Sequence, residues 1–178
     1  KEGPAILVCN HVSFIDWLVL AGAVRRPARY VMYKTYYEMP VLHWLFAQAR
    51  AIPIASSKED PDIVQRAFDQ MSAELRAGEL VCIFPEGRIT ETGEMNKFLP
   101  GIERMVARDA VPVVPMALNG LWGSYFSRRD GPAMTKPFRR RWSRVWLTVG
   151  PPVPPEQVSA EGLQATVKAL YDRRPDAP

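Results

Sequence analysis

The sequence has few of the residues that build metal and redox sites. Its 178 residues include two cysteines and two histidines. Cys9 and Cys82 both lie in apolar runs, and no C-x-x-C spacing is present, so we expect two buried free thiols. His11 and His43 lack the spacing of a shared metal site, so no metal is expected. The scarcity of histidine also leaves few candidates for a base that works near neutral pH.

Two longer patterns are missing as well. No apolar run reaches the length of a membrane span, and no signal peptide is visible. The sequence has no G-x-S-x-G turn, which excludes the nucleophile elbow of the α/β-hydrolases. With 47% hydrophobic and 24% charged residues, the composition is typical of one globular domain. Because Lys1 leads almost directly into a strand, we interpret residues 1–174 as one domain of a longer chain and residues 175–178 as a frayed tail or linker.

Positive charge is concentrated in one segment, residues 128–146. The net charge is +4, and this excess predicts an anionic partner. Aromatic side chains alternate with the cations, a composition that suits the headgroup region of a membrane surface. The phosphates of coenzyme A, an acidic acyl-carrier protein and a solvated basic loop remain open as alternatives. No nucleic-acid-binding motif accompanies them, so nucleic acid is not expected as a partner. The cations are Arg128, Arg129, Lys136, Arg139, Arg140, Arg141 and Arg144, and the aromatic residues are Phe138, Trp142 and Trp146.

Apolar runs alternate with segments of helical periodicity along most of the chain. Several of the runs are apolar throughout, which is typical of strands covered on both faces. The pattern predicts a single-domain α/β sandwich with a largely parallel or mixed central sheet flanked by helices. The predicted strands are 5–9, 30–33, 51–55, 80–84, 111–118 and 145–149, and the predicted helices are 17–24, 41–47, 60–78, 102–106 and 158–171.

The first candidate site lies directly behind the first strand, in residues 10–16. A strand that ends in Asn10 and His11 places an imidazole at the rim of the sheet, and Asp16 follows one short stretch later. A carboxylate at that spacing is suited to orient a histidine that accepts a proton. The same residues also fit a capping box, in which Ser13 and Asp16 only begin a helix. Both interpretations remain open at this stage.

The second candidate site follows the strand predicted at 80–84. Glu86, Gly87 and Arg88 offer a carboxylate, a flexible backbone position and a permanent cation. Arginine at such a turn is suited to a phosphate, although a solvated pair of Glu86 and Arg88 is the simpler alternative. Ligands of parallel sheets bind at the carboxyl ends of strands. If the first and fourth strands run in the same direction, the two candidate sites meet in one crevice.

Three blocks in this order resemble a known family. The blocks are Asn10-His11-x-x-x-x-Asp16, Phe84-Pro85-Glu86-Gly87 and Val111-Pro112-Val113-Val114-Pro115-Met116. Together they resemble the glycerolipid acyltransferases that act on glycerophosphate and lysophospholipids. Residues 84–90 and 120–128 are similar to the branch that reacylates lysophosphatidylethanolamine-type lipids, which includes domains fused behind a major-facilitator transporter.

The resemblance implies transfer of a fatty acyl group from a thioester to the hydroxyl of a lysophospholipid. It implies no cofactor, with acyl-CoA or acyl-carrier protein as co-substrate, and a location on the cytoplasmic face of the inner membrane. No covalent intermediate is needed, because one base can activate the hydroxyl. The implied roles are His11 as general base, Asp16 as its orienting carboxylate, and Glu86, Gly87, Arg88, Asn10 and Ser13 as substrate-binding residues.

Two departures from the family pattern bear on the acceptor. Arg88 follows Gly87 directly, where many members have a small hydroxyl residue between them. Ser56 stands where an arginine usually holds the acceptor phosphate. The absence of that arginine favours a phosphodiester lysolipid over lysophosphatidate as acceptor, unless Arg50 substitutes from the other end of its strand. The alternatives are a lysophosphatidate acyltransferase, a lipid hydrolase and a non-catalytic module that binds anionic lipid or nucleic acid.

Overall fold

The computed structural model describes residues 3–56, 59–135 and 144–173. Within these residues one six-stranded sheet is flanked by helices, in a single-domain α/β arrangement. The strands are β1 (Ala5–Cys9), β2 (Ala28–Tyr33), β3 (Ile52–Ile54), β4 (Leu80–Ile83), β5 (Val113–Asn119) and β6 (Trp146–Val149). The helices are α1 (Asp16–Ala23), α2 (Lys34–Tyr37), α3 (Pro40–Gln48), α4 (Pro61–Arg76), α5 (Gly101–Arg108) and α6 (Ala160–Asp172).

The sheet is mostly parallel and confirms the predicted fold class. Its strand order is β3-β2-β4-β1-β5-β6. All neighbours pair in parallel except β5 and β6, which are antiparallel. All five residues of β1 are buried, as expected for a central strand covered by helices on both faces. The short β3 lies at the edge, which is where its Pro53 can be tolerated.

Two helical layers cover the sheet. Helices α4, α5 and α6 pack on one face, with Phe68, Ile102 and Leu163 in the same core cluster as β1 and β4 side chains. Helix α1 packs on the other face through Leu20. Helix α4 begins at a strong cap, because Asp60 Oδ1 accepts a hydrogen bond from Ile63 N at 3.0 Å.

Helix α3 lies beside α1 and exposes an apolar surface. The ring of Phe46 is buried and meets that of Trp17 at a centroid distance of 5.3 Å. Trp44, two residues earlier, is 69% exposed. The helix therefore buries one side and leaves the other open. No described helix is both long and apolar enough to cross a membrane.

The register of the central strands brings the two candidate sites together. Val8 of β1 lies opposite Ile83 of β4 in a parallel pair. Residues 10–16 and 84–88 therefore leave the sheet at the same carboxyl edge, as predicted. Two predicted features fall on residues outside the described ranges: the tail 175–178, and the part of the basic segment at 136–143.

Candidate active site

His11 follows β1 and stands at the rim of the sheet. Its Nδ1 lies 2.8 Å from Oδ2 of Asp16. Its ring stacks on that of Phe84, with centroids 4.3 Å apart and planes inclined by 19°. The side chain is 19% exposed. The imidazole is thus fixed at two points and still accessible from outside.

Asp16 is buried and holds both the ring and the turn. Besides His11, its Oδ2 accepts hydrogen bonds from Val12 N at 2.7 Å and Ser13 N at 2.9 Å. Its Oδ1 accepts from Ser13 Oγ at 2.6 Å. Helix α1 begins at Asp16, with Ile15 at the cap position and no side-chain cap bond. Half of the capping-box interpretation is confirmed, because the Asp16 carboxylate reaches back to Ser13 N. The other half is wrong, because the Ser13 hydroxyl donates to that carboxylate instead of accepting from the helix.

Glu86 joins the second candidate site to the first. Its Oε1 accepts from His11 N at 2.7 Å. Its Oε2 accepts from Asn96 N at 2.7 Å and from Asn96 Nδ2 at 2.9 Å. Burial raises the pKa of Glu86 above its ordinary value, and the donors from His11 and Asn96 act in the opposite direction. The carboxylate therefore ties two loops together inside the protein.

Asn10 connects β1 to β5 in a similar way. Its Nδ2 donates to Leu118 O at 3.0 Å, and its Oδ1 accepts from Leu118 N at 2.7 Å. Only 1% of the residue is exposed. The side-chain amide of Asn10 thus makes two hydrogen bonds to the backbone of Leu118, in place of backbone–backbone bonds, at the point where β1 leaves the sheet. It thereby fixes the direction in which the chain continues to His11.

Three residues of the predicted binding set lie outside the cavity in front of His11. Asn10, Ser13 and Glu86 were expected to contact substrate, but none of the three lines the cavity described below. Their polar atoms are buried and already bonded within the protein. Residues of this kind position their neighbours. Gly87 and Arg88, in contrast, line the same cavity as His11.

The cavity in front of His11 has a volume of about 380 Å³. Its lining includes the imidazole of His11 and the guanidinium groups of Arg88 and Arg128, together with three tyrosines. Most of its wall is apolar, contributed by β2 and by helices α1, α3, α4 and α5. This wall includes Trp17, Tyr30, Phe46, Phe68, Met71 and Ile102. A cavity of this kind suits a ligand with a long apolar part and an anionic end.

Gly87 is required chiefly for its backbone freedom. Its φ of +68° lies in the left-handed region, which residues with a side chain rarely adopt. A Cβ at this position would lie 2.8 Å from Cδ1 of Leu99. Leu99 is 53% exposed, so the end of its side chain can move aside, and the positive φ is the stronger constraint.

Some functional contacts were not predicted from the sequence. Thr90 N donates to His11 O at 3.0 Å, and Asn96 shares the Glu86 carboxylate. Neither residue carries a recognisable spacing, because both contacts depend on the loop between β4 and α5 folding back over the site. Arg50 was named as an alternative source of the missing cation, but it precedes β3 and pairs with Glu74 at 2.9 Å. It therefore lies at the opposite end of the parallel sheet from His11.

The thiols are buried, as expected. Cys9 and Cys82 are both 0% exposed and free. Burial raises the pKa of each thiol well above its ordinary value, so neither supplies a thiolate nucleophile. Among the described residues, no group of three or more His, Cys, Asp and Glu side chains is placed to hold a metal ion.

Comparisons with known proteins found several similar sequences. A protein-family model described as Acyltransferase matches residues 1–119. A 1-acyl-sn-glycerol-3-phosphate acyltransferase of Pseudomonas aeruginosa is 28% identical over 128 residues, which are 71% of this chain and 48% of that protein. A lyso-ornithine lipid O-acyltransferase of the same organism is 29% identical over 136 residues, 76% of this chain and 48% of that protein.

Two further similarities concern a plant relative and a solved structure. The chloroplastic 1-acyl-sn-glycerol-3-phosphate acyltransferase BAT2 of Brassica napus is 26% identical over 120 residues, 67% of this chain and 34% of that protein. The chain thus spans about a third to a half of the length of these curated relatives. The crystal structure of the acyltransferase PlsC from Thermotoga maritima matches with a TM-score of 0.75 at 19% identity, covering 100% of this chain and 69% of that one. This similarity shows the fold.

Proposed function

The chain belongs to the acyltransferase family, and from that premise we propose that it moves a fatty acyl group from a thioester to the free hydroxyl of a lysophospholipid. The donor is acyl-CoA or acyl-carrier protein. The reaction needs no further cofactor, because the thioester is already activated. We place it on the cytoplasmic face of the inner membrane, where lysophospholipid and thioester meet.

One observation carries the proposal: the hydrogen bond between His11 Nδ1 and the buried carboxylate of Asp16, 2.8 Å long. An ionised carboxylate only accepts hydrogen bonds, so Nδ1 is the nitrogen that carries the proton. Nε2 then keeps its lone pair and acts as the proton acceptor. Because His11 lines the cavity, a bound hydroxyl can reach it.

The proton transfers balance without a covalent enzyme intermediate. As the acceptor oxygen bonds to the thioester carbonyl carbon, its proton passes to Nε2 of His11. Collapse of the tetrahedral intermediate breaks the carbon–sulfur bond, and the thiolate takes the proton from the imidazolium. Asp16 stabilises that imidazolium and keeps the ring in place. General base catalysis of this type contributes a factor of ~10²–10⁴ in rate.

The cavity supports a lipid substrate. Arg88 and Arg128 supply cations near its opening, where a phosphate is held by charge-assisted hydrogen bonds. The apolar wall accommodates a fatty chain. A water-soluble acceptor would leave most of that wall without a partner. The combination favours a lysolipid whose hydroxyl lies between its chain and its phosphate.

The acceptor is proposed to be a phosphodiester. Ser56, which follows β3, supplies no cation, and Arg50 lies at the other end of the sheet. Lysophosphatidate is the second candidate, because several relatives are named for 1-acyl-sn-glycerol-3-phosphate. Arg128 and Trp146, the described ends of the basic segment, are proposed to face the membrane surface, as the sequence predicts.

Acyl transfer from labelled acyl-CoA and acyl-carrier protein to a panel of lysophospholipids tests the proposal. We expect a lysophospholipid product that depends on the acceptor and is lost in His11→Ala. Release of free fatty acid at the same rate with or without acceptor would instead identify a hydrolase. Salt-sensitive lipid binding without any transfer would identify a non-catalytic binding module.

A further inference from the structure

A second cavity of about 540 Å³ adjoins the first. Both cavities are lined by Phe14, Tyr36, Ile89 and Arg128. These shared residues form a common boundary, so the two spaces are neighbours. A ligand with its hydroxyl at His11 can extend past Arg128 and place its far end in the second cavity.

The second cavity contains a carboxylate that the proposed reaction does not use. Glu91 lines it, and Glu91 Oε1 lies 2.6 Å from Nη1 of Arg128. The rings of Phe14 and Tyr36 meet edge to face nearby, with centroids 5.1 Å apart. A guanidinium suits a phosphate, while a carboxylate beside aromatic rings suits an ammonium group. The cavity therefore offers partners for both signs of charge.

The position of Glu91 is tied to that of His11. Its neighbour Thr90 donates from N to His11 O at 3.0 Å. The chain segment that leads to Arg128 is attached to the same turn, because Phe14 N donates to Phe126 O at 2.9 Å. Backbone hydrogen bonds therefore hold the segments of both Glu91 and Arg128 close to the proposed base.

We propose that the second cavity binds the headgroup of the acceptor, and that Glu91 selects a phosphodiester headgroup that carries an ammonium group. This inference rests on the proposed function, because it requires a lysophospholipid acceptor. A phosphate that binds Arg128 displaces Glu91 from its ion pair. An ammonium group on the same ligand then gives Glu91 a new partner, so that both charges remain paired.

An uncharged headgroup lacks this compensation. The phosphate of a phosphoglycerol headgroup can bind the guanidinium of Arg128, but the headgroup then leaves the carboxylate of Glu91 without a cation. The cost is modest, since the Glu91 side chain is 68% exposed and partly solvated. Glu91 is therefore expected to act on selectivity between acceptors, while His11 acts on the reaction itself.

The test compares two acceptors with the same acyl chain in identical mixed micelles. The quantity measured is kcat/KM for lysophosphatidylethanolamine divided by kcat/KM for lysophosphatidylglycerol. We expect Glu91→Gln to lower this ratio about two- to fivefold, the range for loss of one solvent-exposed ion pair. Glu91→Lys should lower it further, because it replaces an attraction for ammonium by a repulsion. Glu94→Gln, at an exposed glutamate of the same loop, should leave the ratio unchanged.

The possible failures are distinguishable. If the wild-type protein acylates lysophospholipids and the ratio is the same in Glu91→Gln and Glu91→Lys as in wild type, the headgroup assignment is wrong and the proposed function stands. If the wild-type protein acylates no lysophospholipid, including lysophosphatidate, the proposed function is overturned and the headgroup assignment with it.

Discussion

Two groups of polar residues meet at the carboxyl edge of the sheet and differ in what surrounds them. The buried polar set consists of Asn10, Ser13, Asp16 and Glu86, which are between 0% and 4% exposed. The cavity-facing set consists of His11, Arg88 and Arg128. The buried residues use their side chains on partners within the protein, and the cavity-facing residues keep at least part of theirs available to a ligand.

The difference separates two roles at this edge of the sheet: the buried residues fix the turn that carries His11, and the cavity-facing residues are available to a ligand. A buried carboxylate is tolerated only when hydrogen bonds compensate for its lost hydration. Asp16 and Glu86 meet that condition with backbone and side-chain donors, and in doing so they fix the turn that carries His11. Changes in the buried polar set should therefore alter stability and rate together. Changes in the cavity-facing set should alter activity alone.

The largest effect is expected for His11→Ala. Removal of the base should lower kcat by a factor of ~10²–10⁴, because no other described group in the first cavity is a comparable proton acceptor. The melting temperature should change little, since the ring is partly exposed. Steady-state kinetics and thermal unfolding of the same preparation check both parts. Full activity in this variant would remove His11 from the mechanism.

Asp16→Asn should have the next largest effect, and it should lower both kcat and the free energy of unfolding. An amide can still accept some of the hydrogen bonds but cannot stabilise an imidazolium, so we expect kcat to fall by about 10²-fold or more. The lost carboxylate should also cost about 1–3 kcal/mol in the free energy of unfolding. Denaturant titration measures the second effect. A stable variant with unchanged kcat would assign Asp16 to structure alone.

Glu86→Gln should reduce stability more clearly than it reduces chemistry. The glutamine amide group has an NH₂ where Glu86 has one of its carboxylate oxygens. That NH₂ would face an N–H donor of His11 or Asn96 with no acceptor between them, which costs about 1–3 kcal/mol in the free energy of unfolding. Activity should fall because the backbone of His11 is less well held. Glu94→Gln is the matched control, as Glu94 is exposed in the same loop. Equal stability of the two variants would contradict the positioning role.

Arg88→Gln should change activity without changing stability. Loss of an exposed cation near a bound phosphate is expected to raise KM about three- to tenfold, with kcat largely kept. The same change at Arg66, an exposed residue of α4 outside the cavity, should have no effect on KM. A lower melting temperature with unchanged KM would show that Arg88 acts like the buried polar set and not like the cavity-facing set.

The smallest effect concerns pH and stability. Burial raises the pKa of Glu86 from its ordinary value of 4.5, so the folded state binds its proton more tightly than the unfolded state. The contribution of protonated Glu86 to the free energy of unfolding is therefore fully present below pH 4.5. It is lost as the pH rises through the raised pKa of the folded state. Denaturant titrations should show the advantage of wild type over Glu86→Gln shrinking across that range. An advantage that grows with pH would contradict the direction of the shift.

Much of the fold could be predicted because its signals are local. Continuous apolar runs predicted β1 and β4, and Asp60 with Gly78 marked the ends of α4. The short helix α2 was not predicted, since its four residues carry no cap and too few positions for a periodicity. The predicted strand at 111–118 begins at Val113 in the structure, just after Pro112, which has no N–H to donate.

The site could be predicted only in part, for a similar reason. The pairing of His11 with Asp16 spans five residues and follows from spacing. Its meeting with Glu86 followed from the direction of two parallel strands. The role of Glu86 did not follow, because its bond to Asn96 depends on the path of a loop. The role of Asn10 depends on Leu118, which is 108 residues away in the chain.

The central place of β1 has a consequence for how the protein is made. Of the six strands, the ribosome releases β1 before the others, yet its hydrogen-bonded neighbours β4 and β5 begin only at Leu80 and Val113. Until Asn119 has emerged, a nascent chain cannot flank its first strand on both sides or bring Leu118 to Asn10. The candidate site should therefore form only late in synthesis, and ribosome-bound chains that end before Asn119 should lack it.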